Sequence, residues 1–159
     1  MSYARIFGVG PTGLAGTFLI WVGVRFVELK LGVPTIGMEP TFRLLLLWFF
    51  LVDFAVTVIW SQFALPPLKR GKNLVVTGPF RLMRHPLYAA FIWSGTGAVA
   101  MWFQSWLLIF SVIPIHIFWV WHIRREEQFM LDKFGDEYRI YMETTGQFFP
   151  ILKKKSDTP

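Results

Sequence analysis

Long apolar stretches separated by short polar segments set the pattern of this chain. The longest extends from Leu44 to Leu65, 22 residues with Asp53 as their single charge. Such a length lets an α-helix cross the hydrocarbon core of a bilayer, which is about 30 Å thick. Two shorter apolar stretches, residues 87–103 and 106–121, are flanked by Trp and Arg side chains that suit anchoring at the membrane interfaces.

A fourth apolar stretch, residues 14–31, carries Arg25, Glu28 and Lys30 near its end. Arg25 and Glu28 are three positions apart and are expected to pair on one helix face. Asp53 is expected to face the bundle interior, because an intramembrane carboxylate costs about 2.5 to 3.5 kcal/mol on insertion scales. We expect Asp53 to form an internal tie with Arg25, with a ligand role as the second possibility.

These stretches predict an all-α, multi-pass transmembrane bundle of about four helices in a single domain of 159 residues. The segment 66–85 is predicted to be an inner-face loop with a turn at Thr77-Gly78-Pro79, and Gln104-Ser105 is predicted to close a short hairpin. Pro114 predicts a kink in the last span. The four spans are predicted near residues 11–31, 44–65, 86–103 and 106–123.

The segment after the last span, residues 124–159, is charged but keeps apolar side chains at a regular spacing. Met130, Phe134 and Tyr138 are four positions apart and fit one face of a helix. We predict a C-terminal helix that lies at the membrane interface and is interrupted at Gly135.

Composition agrees with a membrane protein and narrows the possible partners. Hydrophobic residues make up 54% of the chain, and the mean hydropathy is +0.47. The net charge is +6, but the basic residues are concentrated in the segment 66–84 and after the last span. A four-span topology then predicts both termini, and the site between them, on the cytoplasmic side. Anionic lipid headgroups are the expected partner of these residues, and nucleic acid is not. The absence of cysteine excludes disulfides and thiol catalysis.

Two further motifs have an ordinary structural explanation. Residues 8–13 match the GxGxxG dinucleotide fingerprint, but no buried strand precedes them and no βαβ unit follows. We expect them to be a flexible entry to the first helix. The three histidines are scattered, and without cysteine they predict no metal centre. His116 is expected to hydrogen-bond within the bundle, and His122 to anchor at the interface.

The third and fourth spans form a predicted hairpin with polar residues at both ends. Arg84, His85 and Tyr88 begin the hairpin, and Glu126 and Glu127 leave it. Two antiparallel helices would return these ends to the same membrane face. A helix N-terminus with two basic side chains suits an anion, and an aromatic face suits a cation. The pattern predicts a site where a charged small molecule meets a lipid-soluble one.

The same residues resemble a known family. The run Gly78-Pro79-Phe80-x-x-x-Arg84-His85-Pro86-x-Tyr88 resembles the G-P-Y/F…R-H-P-x-Y signature of isoprenylcysteine carboxyl methyltransferases and their phospholipid methyltransferase relatives. Glu126-Glu127, Phe134-Gly135-x-Glu137-Tyr138 and Tyr141 resemble that family's E-E…F-G-x-E-Y-x-x-Y block. Thr145-Gly146-Gln147-Phe148-x-Pro150 resembles the T-G-R-F-x-P ending of prokaryotic members. The resemblance covers residues 75–152, in the family's order and spacing.

The resemblance implies a membrane enzyme that uses S-adenosylmethionine to methylate a lipophilic acceptor. By motif position, His85 and Tyr88 would meet the methionine part of the cofactor. Arg84 would lie near its carboxylate or act on the substrate as the catalytic residue. Glu127, together with Glu126, would hold the ribose hydroxyls or the amino group. The candidates on the substrate side are Tyr138, Tyr141 and Gln147.

The acceptor and the class of protein both have alternatives. An isoprenylcysteine-type carboxylate is the first acceptor that the resemblance implies, and a phospholipid amine or a thiol is the alternative. Gln147 stands where prokaryotic members usually carry arginine, which weakens the case for a carboxylate. Two other classes stay open: an NADPH-dependent reductase of the sterol type, and a non-catalytic membrane protein that keeps the hairpin for packing. Glu126-Glu127 and Phe134-Gly135 are closer to the methyltransferase pattern.

Overall fold

The computed structural model describes residues 8–66 and 72–151, and within these ranges the chain is helical without a β-strand. One isolated bridge pairs Met83 with Gly146. A 3₁₀ turn at Gly78–Arg81 precedes the third long helical segment. The α-helices, in chain order, are α1 Gly10–Leu31, α2 Pro40–Ala64, α3 Pro86–Ala90, α4 Thr96–Phe103, α5 Trp106–Phe110, α6 Val112–His122, α7 Arg124–Phe134 and α8 Asp136–Thr144.

The ends of α1 and α2 are set by local signals in the sequence. The helix α1 stops at Gly32, which adopts a left-handed conformation (φ 63°) and donates its backbone N–H to the Glu28 carbonyl. The helix α2 begins at Pro40, whose fixed φ suits the first helical position. The Glu39 carboxylate caps it by accepting from the backbone N–H of Thr41 at 3.0 Å and of Phe42 at 2.8 Å. These contacts lower the pKa of the exposed Glu39.

The predicted hairpin is confirmed and contains two irregularities. A π-helical segment, Phe91–Gly95, joins α3 to α4 into one continuous rod. Gln104 turns the chain with a left-handed φ of 50°, and the Ser105 hydroxyl caps α5 by accepting from Leu108 N at 3.0 Å. A turn at Ser111 separates α5 from α6, and Pro114 follows inside α6, where its nitrogen carries no hydrogen to donate to the preceding helical turn. The kink at Pro114 stays a prediction.

Two helical segments are long and apolar enough to cross a membrane, by length and composition. They are Pro40–Ala64, with a mean hydropathy of 2.2, and Trp106–Phe134, with 1.8. The outward face of α2 is apolar: Leu45, Trp48 and Phe63 are all more than 60% exposed. Water would favour aggregation through such a surface, whereas lipid tails solvate it.

The inward faces form a core that supports the hairpin. Ile92 comes from the π segment, Ile115 and Trp119 from α6, and all three are fully buried. The rod and the return helix thus pack against each other along the side that carries Tyr88. The C-terminal helices α7 and α8 meet at Gly135, whose φ of 54° interrupts the helix as predicted.

The expected tie between Arg25 and Asp53 is wrong. Arg25 pairs with Glu28, as predicted from their spacing, and its guanidinium lies 4.8 Å from the Phe103 ring centroid. Asp53 instead accepts a hydrogen bond from the Ser94 hydroxyl in the π segment. Arg25 therefore has its partner one turn further along the same helix, and Asp53 has its partner on the adjacent rod. Neither charge needs a contact between α1 and α2.

The prediction for His116 needs correction, and the structure adds contacts for His122. His116 lies among the rings of Trp93, Phe148 and Phe149, and its Nδ1 has no hydrogen-bond partner among the described residues. His122 does more than anchor at an interface. Its Nε2 lies 2.9 Å from the Thr12 hydroxyl and 3.2 Å from the Val9 carbonyl, and so links the return helix to the start of α1.

The glycines at 8–13 are not a flexible entry, contrary to expectation. A Cβ added at Gly13 would lie 2.3 Å from the Trp119 ring, and one at Gly10 would lie 3.5 Å from the Tyr88 ring. Both residues are buried and helical. Gly13 must be glycine because the first helix crosses the hairpin in direct contact with the Trp119 ring.

Candidate functional site

The two ends of the hairpin meet, as the sequence predicts. The Tyr88 hydroxyl donates to Glu126 Oε2 at 2.9 Å, across 38 positions of sequence. Arg84 donates to Glu127 Oε1 from Nε at 3.0 Å and from Nη2 at 2.8 Å. The residues singled out at the start of the rod therefore contact those at the start of α7.

Glu127 is the centre of this network. Its Oε1 receives Arg84 and shares a 3.2 Å hydrogen bond with His85 Nε2, while its Oε2 accepts from Gln147 Nε2 at 2.9 Å. The residue is 7% exposed. A buried carboxylate is stable only when charged or polar donors surround it, and here a cation, an imidazole and an amide do so.

Arg84 is held by the C-terminal segment as well as by Glu127. Its Nη1 donates to the carbonyls of Met142, at 3.1 Å, and Thr145. All three guanidinium nitrogens thus donate within the protein, and the side chain is 8% exposed. The role of Arg84 as a catalytic or anion-binding residue stays a prediction, since its visible role is to fix Glu127 and the end of α8.

A short parallel pairing brings the last family-like motif onto the site. The backbone N–H of Arg84 donates to the Gly146 carbonyl at 2.8 Å, and that of His85 to the Gln147 carbonyl at 3.0 Å. His85 precedes Pro86 and has non-helical backbone angles, φ −125° and ψ 61°. The backbone of Arg84 and His85 therefore pairs with residues 146–147 before the chain turns into α3.

Aromatic rings form one wall. The His85 and Tyr88 rings stack with centroids 5.6 Å apart, and Tyr88 stacks on Trp119 at 4.5 Å. Trp119 is fully buried and donates its indole N–H to the Thr17 hydroxyl at 2.8 Å. The return helix and α1 thus hold the Tyr88 ring in place.

Gly8 approaches the carboxylate end of the site more closely than any other residue type would allow. Its φ is 57°, and an added Cβ would lie 2.8 Å from Glu126 Oε2 and 3.5 Å from the Tyr88 hydroxyl. The next backbone N–H, from Val9, points at the same carboxylate oxygen at 3.4 Å. The glycine motif was not assigned to the site from the sequence. Its place there depends on the positive φ that Gly8 adopts beside a carboxylate, a conformation that glycine allows.

These groups surround a cleft. It encloses about 960 Å³ of empty space, including its open mouth, and apolar side chains form most of its lining. Phe129 and Met130 of α7 lie on one side and Leu65 of α2 on another. Sites for small molecules typically have this character, with a few convergent polar groups in an apolar wall. The predicted residues that line it are Arg84, His85, Tyr88, Glu126, Tyr138 and Tyr141.

Tyr138 and Tyr141 close the floor of the cleft from α8. Burial raises the pKa of Tyr138 well above its ordinary value, and the nearby Glu127 carboxylate raises it further. Burial also raises the pKa of Tyr141, whose hydroxyl donates to the Phe80 carbonyl. Both phenols therefore stay neutral at physiological pH, and that of Tyr141 acts as a hydrogen-bond donor.

Gln147 does not line the cleft among the residues that the structure places there, but it lies directly behind it. Its amide donates to Glu127, where an arginine would add a second positive charge. Within the described ranges, no cluster of three or more His, Asp or Glu side chains suits a metal ion. The basic residues Lys69, Arg70 and Lys153 to Lys155 lie outside the described residues.

The arrangement can bind an amphiphilic cation that also carries hydroxyl or amino groups. Glu126 is half-buried at the mouth of the cleft, beside an aromatic face and a backbone that comes unusually close. Aromatic faces attract cations, and a carboxylate accepts hydrogen bonds from hydroxyls and ammonium groups.

Comparison with known proteins agrees with this description. The sequence profile of phospholipid methyltransferase matches residues 44–137, more than half of the 159-residue chain. The chain belongs to the phospholipid methyltransferase family. The matched region contains most of α2, the whole hairpin and α7, and so includes Arg84, His85, Tyr88, Glu126 and Glu127.

A curated relative gives a second comparison. Protein-S-isoprenylcysteine O-methyltransferase of Saccharomyces cerevisiae is 29% identical over 79 residues, which cover 50% of this chain and 33% of the relative. The match thus spans about a third of the relative's length.

Proposed function

We propose that this protein is a membrane-embedded methyltransferase that uses S-adenosylmethionine to methylate a lipophilic acceptor. The single observation that carries the proposal is the meeting of Tyr88 with Glu126 and of Arg84 with Glu127 around one cleft. The family membership supports methyl transfer. The cleft supports the binding of a charged small molecule, because a few polar groups converge within its largely apolar lining.

The donor set of the cleft fits the cofactor. Glu126 would accept hydrogen bonds from the ribose hydroxyls or the amino group, and Glu127 would support it from behind. The Tyr88 face suits the sulfonium, since cations bind above aromatic rings. Gly8 leaves room for a ligand group at Glu126, because a Cβ there would fill that space. When bound, the cofactor supplies a methyl group activated by a sulfonium, and the positive charge of that sulfonium disappears on transfer.

The protein residues contribute orientation and exclusion of water. Arg84, His85 and Gln147 fix the Glu127 carboxylate in one position, so that it does not reorient during the reaction. Tyr88 is held between His85 and Trp119, which fixes the aromatic face. An in-line displacement between two reactants gains most from such alignment in a dry site.

We extend the proposal to a topology of four spans. The helix α1 is 22 residues long, about 33 Å at 1.5 Å per residue, and its Arg25 and Glu28 neutralise each other. The rod from Pro86 to Phe103 runs antiparallel to a helix of spanning length. With α2 as a further span, both polar ends of the hairpin lie on one side. The basic residues around them favour the cytoplasmic side, with both termini there.

The first acceptor candidate is an isoprenylcysteine-type carboxylate, and the support for it is the similarity to the yeast relative. A specific observation favours the second candidate, a phospholipid amine or a thiol. Among the described residues that line the cleft, Arg84 is the one permanent cation, and its nitrogens already donate within the protein. Gln147 adds no charge. A neutral nucleophile needs no counter-ion, whereas a carboxylate does.

Calorimetry on the purified protein tests the cofactor assignment. We expect S-adenosylmethionine and its demethylated product to bind, and Glu126→Gln to weaken binding by about 10- to 100-fold, as for the loss of hydrogen bonds to a charged group. Glu143→Gln on the exposed face of α8 is the matched control and should bind normally. Tight NADPH binding without binding of S-adenosylmethionine would point to the reductase class instead.

Methyl transfer with a radiolabelled cofactor tests the acceptor. Label in extracted phospholipids would support the amine, and label in N-acetyl-S-farnesylcysteine would support the carboxylate. If the wild-type protein binds the cofactor but Glu126→Gln and His85→Ala leave that binding unchanged, the site assignment is wrong and a packing role for the hairpin gains support.

A further inference from the structure

Two buried nitrogen atoms outside the lining of the cleft have no hydrogen-bond partners among the described residues. Trp93 Nε1 and His116 Nδ1 are shielded from solvent, and neither has a partner among the described residues. Such orphaned groups are rare, because burial removes water from each one without replacing the lost hydrogen bond. Trp93 lies in the π segment and His116 in α6, with their ring centroids 5.6 Å apart. The two side chains therefore form a pair of neighbouring rings, one from each arm of the hairpin.

An aromatic side chain covers this pair. The Phe149 ring lies 4.5 Å from Trp93 and 6.1 Å from His116, between centroids, and Phe149 is 51% exposed. Phe149 follows the tight segment 146–148 and has one face open to the surroundings. The Phe149 ring shields the two nitrogens from solvent but forms no hydrogen bond to them, so a ligand could displace it.

The pair is connected to the proposed catalytic cleft by one buried ring. Phe148 is 2% exposed and lies 5.3 Å from His116 and 6.0 Å from His85, between centroids. Trp93 lies seven positions after the rod begins, about 10 Å along it. In the proposed topology this depth is where the polar part of a lipid meets its tails.

We propose that Trp93 Nε1 and His116 Nδ1 bind the carbonyl oxygen at the base of a lipid-soluble acceptor, which displaces the Phe149 ring. An indole N–H can only donate, and an imidazole can donate when Nδ1 carries the proton. Two donors in an aromatic surrounding suit an uncharged acceptor oxygen, since a charged group would lose its hydration there. The inference rests on the proposed function for the identity of the amphiphile as the methyl acceptor.

The carbonyl could come from two sources, the ester of a phospholipid or the amide of a prenylated cysteine. The test uses the full-length protein, purified in dodecyl maltoside and labelled with ¹⁵N. The indole N–H signal of Trp93 is assigned by its loss in Trp93→Phe, and Trp102, 67% exposed on the same rod, is the internal control. The probes are dioleoyl phosphatidylethanolamine, its ether-linked analogue without carbonyls, and N-acetyl-S-farnesylcysteine.

We expect the Trp93 signal to move downfield with the phospholipid or the farnesylcysteine, whichever is the true ligand, and not with the ether analogue. S-adenosylmethionine alone should leave it in place. No movement with either carbonyl probe at saturation, or equal movement with the ether analogue, overturns the subsite. A moving Trp93 signal in a protein that binds no S-adenosylmethionine retains the subsite and rejects the proposed function.

Measurements of stability and kinetics test the proposed carbonyl site independently. Trp93→Phe removes an unpaired donor and should leave the melting temperature unchanged or raise it, whereas loss of a structural hydrogen bond would lower it. With an active acceptor, Trp93→Phe and His116→Phe should each raise KM about 3- to 10-fold at similar kcat, as for the loss of one hydrogen bond. Trp102→Phe should leave both constants unchanged. A lower melting temperature without a KM effect would assign Trp93 a structural role and overturn the proposal.

Discussion

Glu127 shows how one residue joins the stability of this protein to its site. Its two oxygens receive Arg84, His85 and Gln147, which come from the start of the rod and from the C-terminal segment. The sequence motifs predicted that Glu127 and Arg84 lie together. They did not predict that Arg84 is held entirely by protein groups, because the carbonyls of Met142 and Thr145 that it binds carry no side-chain signal.

The substitution Glu127→Ala should therefore destabilise the protein as well as impair cofactor binding. Removal of the carboxylate leaves the Arg84 guanidinium buried without its counter-ion, which costs about 3–5 kcal/mol. Thermal unfolding in detergent measures the loss, and Glu126→Ala, at the half-buried neighbour, should cost clearly less. Equal unfolding midpoints for the two variants would contradict the central role of Glu127.

Gly146 is a second residue where the structure makes a sharp demand. A Cβ there would lie 2.0 Å from the Phe149 carbonyl oxygen, a backbone atom that cannot rotate away. We expect Gly146→Ala to open the segment 146–149, weaken its pairing with Arg84, and cost about 1–3 kcal/mol, as overpacking does. Thermal unfolding and cofactor calorimetry measure the effect. Wild-type values in both would mean that this segment does not hold the site together.

At the scale of elements, two glycines of α1 show the effect of close packing and the effect of helix propensity separately. Gly13 faces the Trp119 ring, whereas a Cβ at Gly23 would meet nothing within 4 Å. The helix α1 holds Trp119 through Thr17 and meets His122 through Thr12. Its role is to lock the hairpin from outside.

Alanine at these two glycines should have opposite effects. Gly13→Ala forces α1 away from the hairpin and should lower stability by about 1–3 kcal/mol. Gly23→Ala improves helix propensity and should raise stability by about 0.5–1 kcal/mol. Both variants are compared by thermal unfolding under the same conditions. A stabilising Gly13→Ala would show that α1 does not contact the return helix.

At the scale of the whole molecule, the buried tyrosines of α8 couple stability to alkaline pH. Burial raises the pKa of Tyr138 above its ordinary value of 10.0. Above pH 10 the folded protein therefore keeps the phenol proton that the unfolded chain loses. This contribution is fully present below pH 10 and is lost as pH rises above it, by about 1.4 kcal/mol per pH unit for one group.

Tyr138→Phe should therefore make stability less sensitive to pH above 10, because the titrating phenol is gone. The free energy of unfolding is measured by denaturant titration at several alkaline pH values in the same detergent, with the wild type as reference. The slopes of the two proteins should agree below pH 10. An unchanged slope in the variant above pH 10 would mean that Tyr138 ionises normally in the folded protein.

The sequence by itself determined the helices and the meeting of the hairpin ends. Apolar length and proline, glycine and polar boundaries are local signals, and helix α2 and the turn at Gln104-Ser105 depend on little else. The positions of Arg84 and Glu127 at the two ends of one hairpin predicted the site, because a hairpin returns its ends to the same level.

Only the tertiary structure decided which groups are satisfied by the protein itself and which are left for a ligand. It turned Asp53 to Ser94, placed Gly8 against Glu126, and left Trp93 and His116 with unpaired nitrogens among the described residues. These outcomes depend on distances of a few ångströms between helices that are remote in sequence. Periodicity specifies the face of a helix, but the packing of side chains fixes which atoms on that face touch.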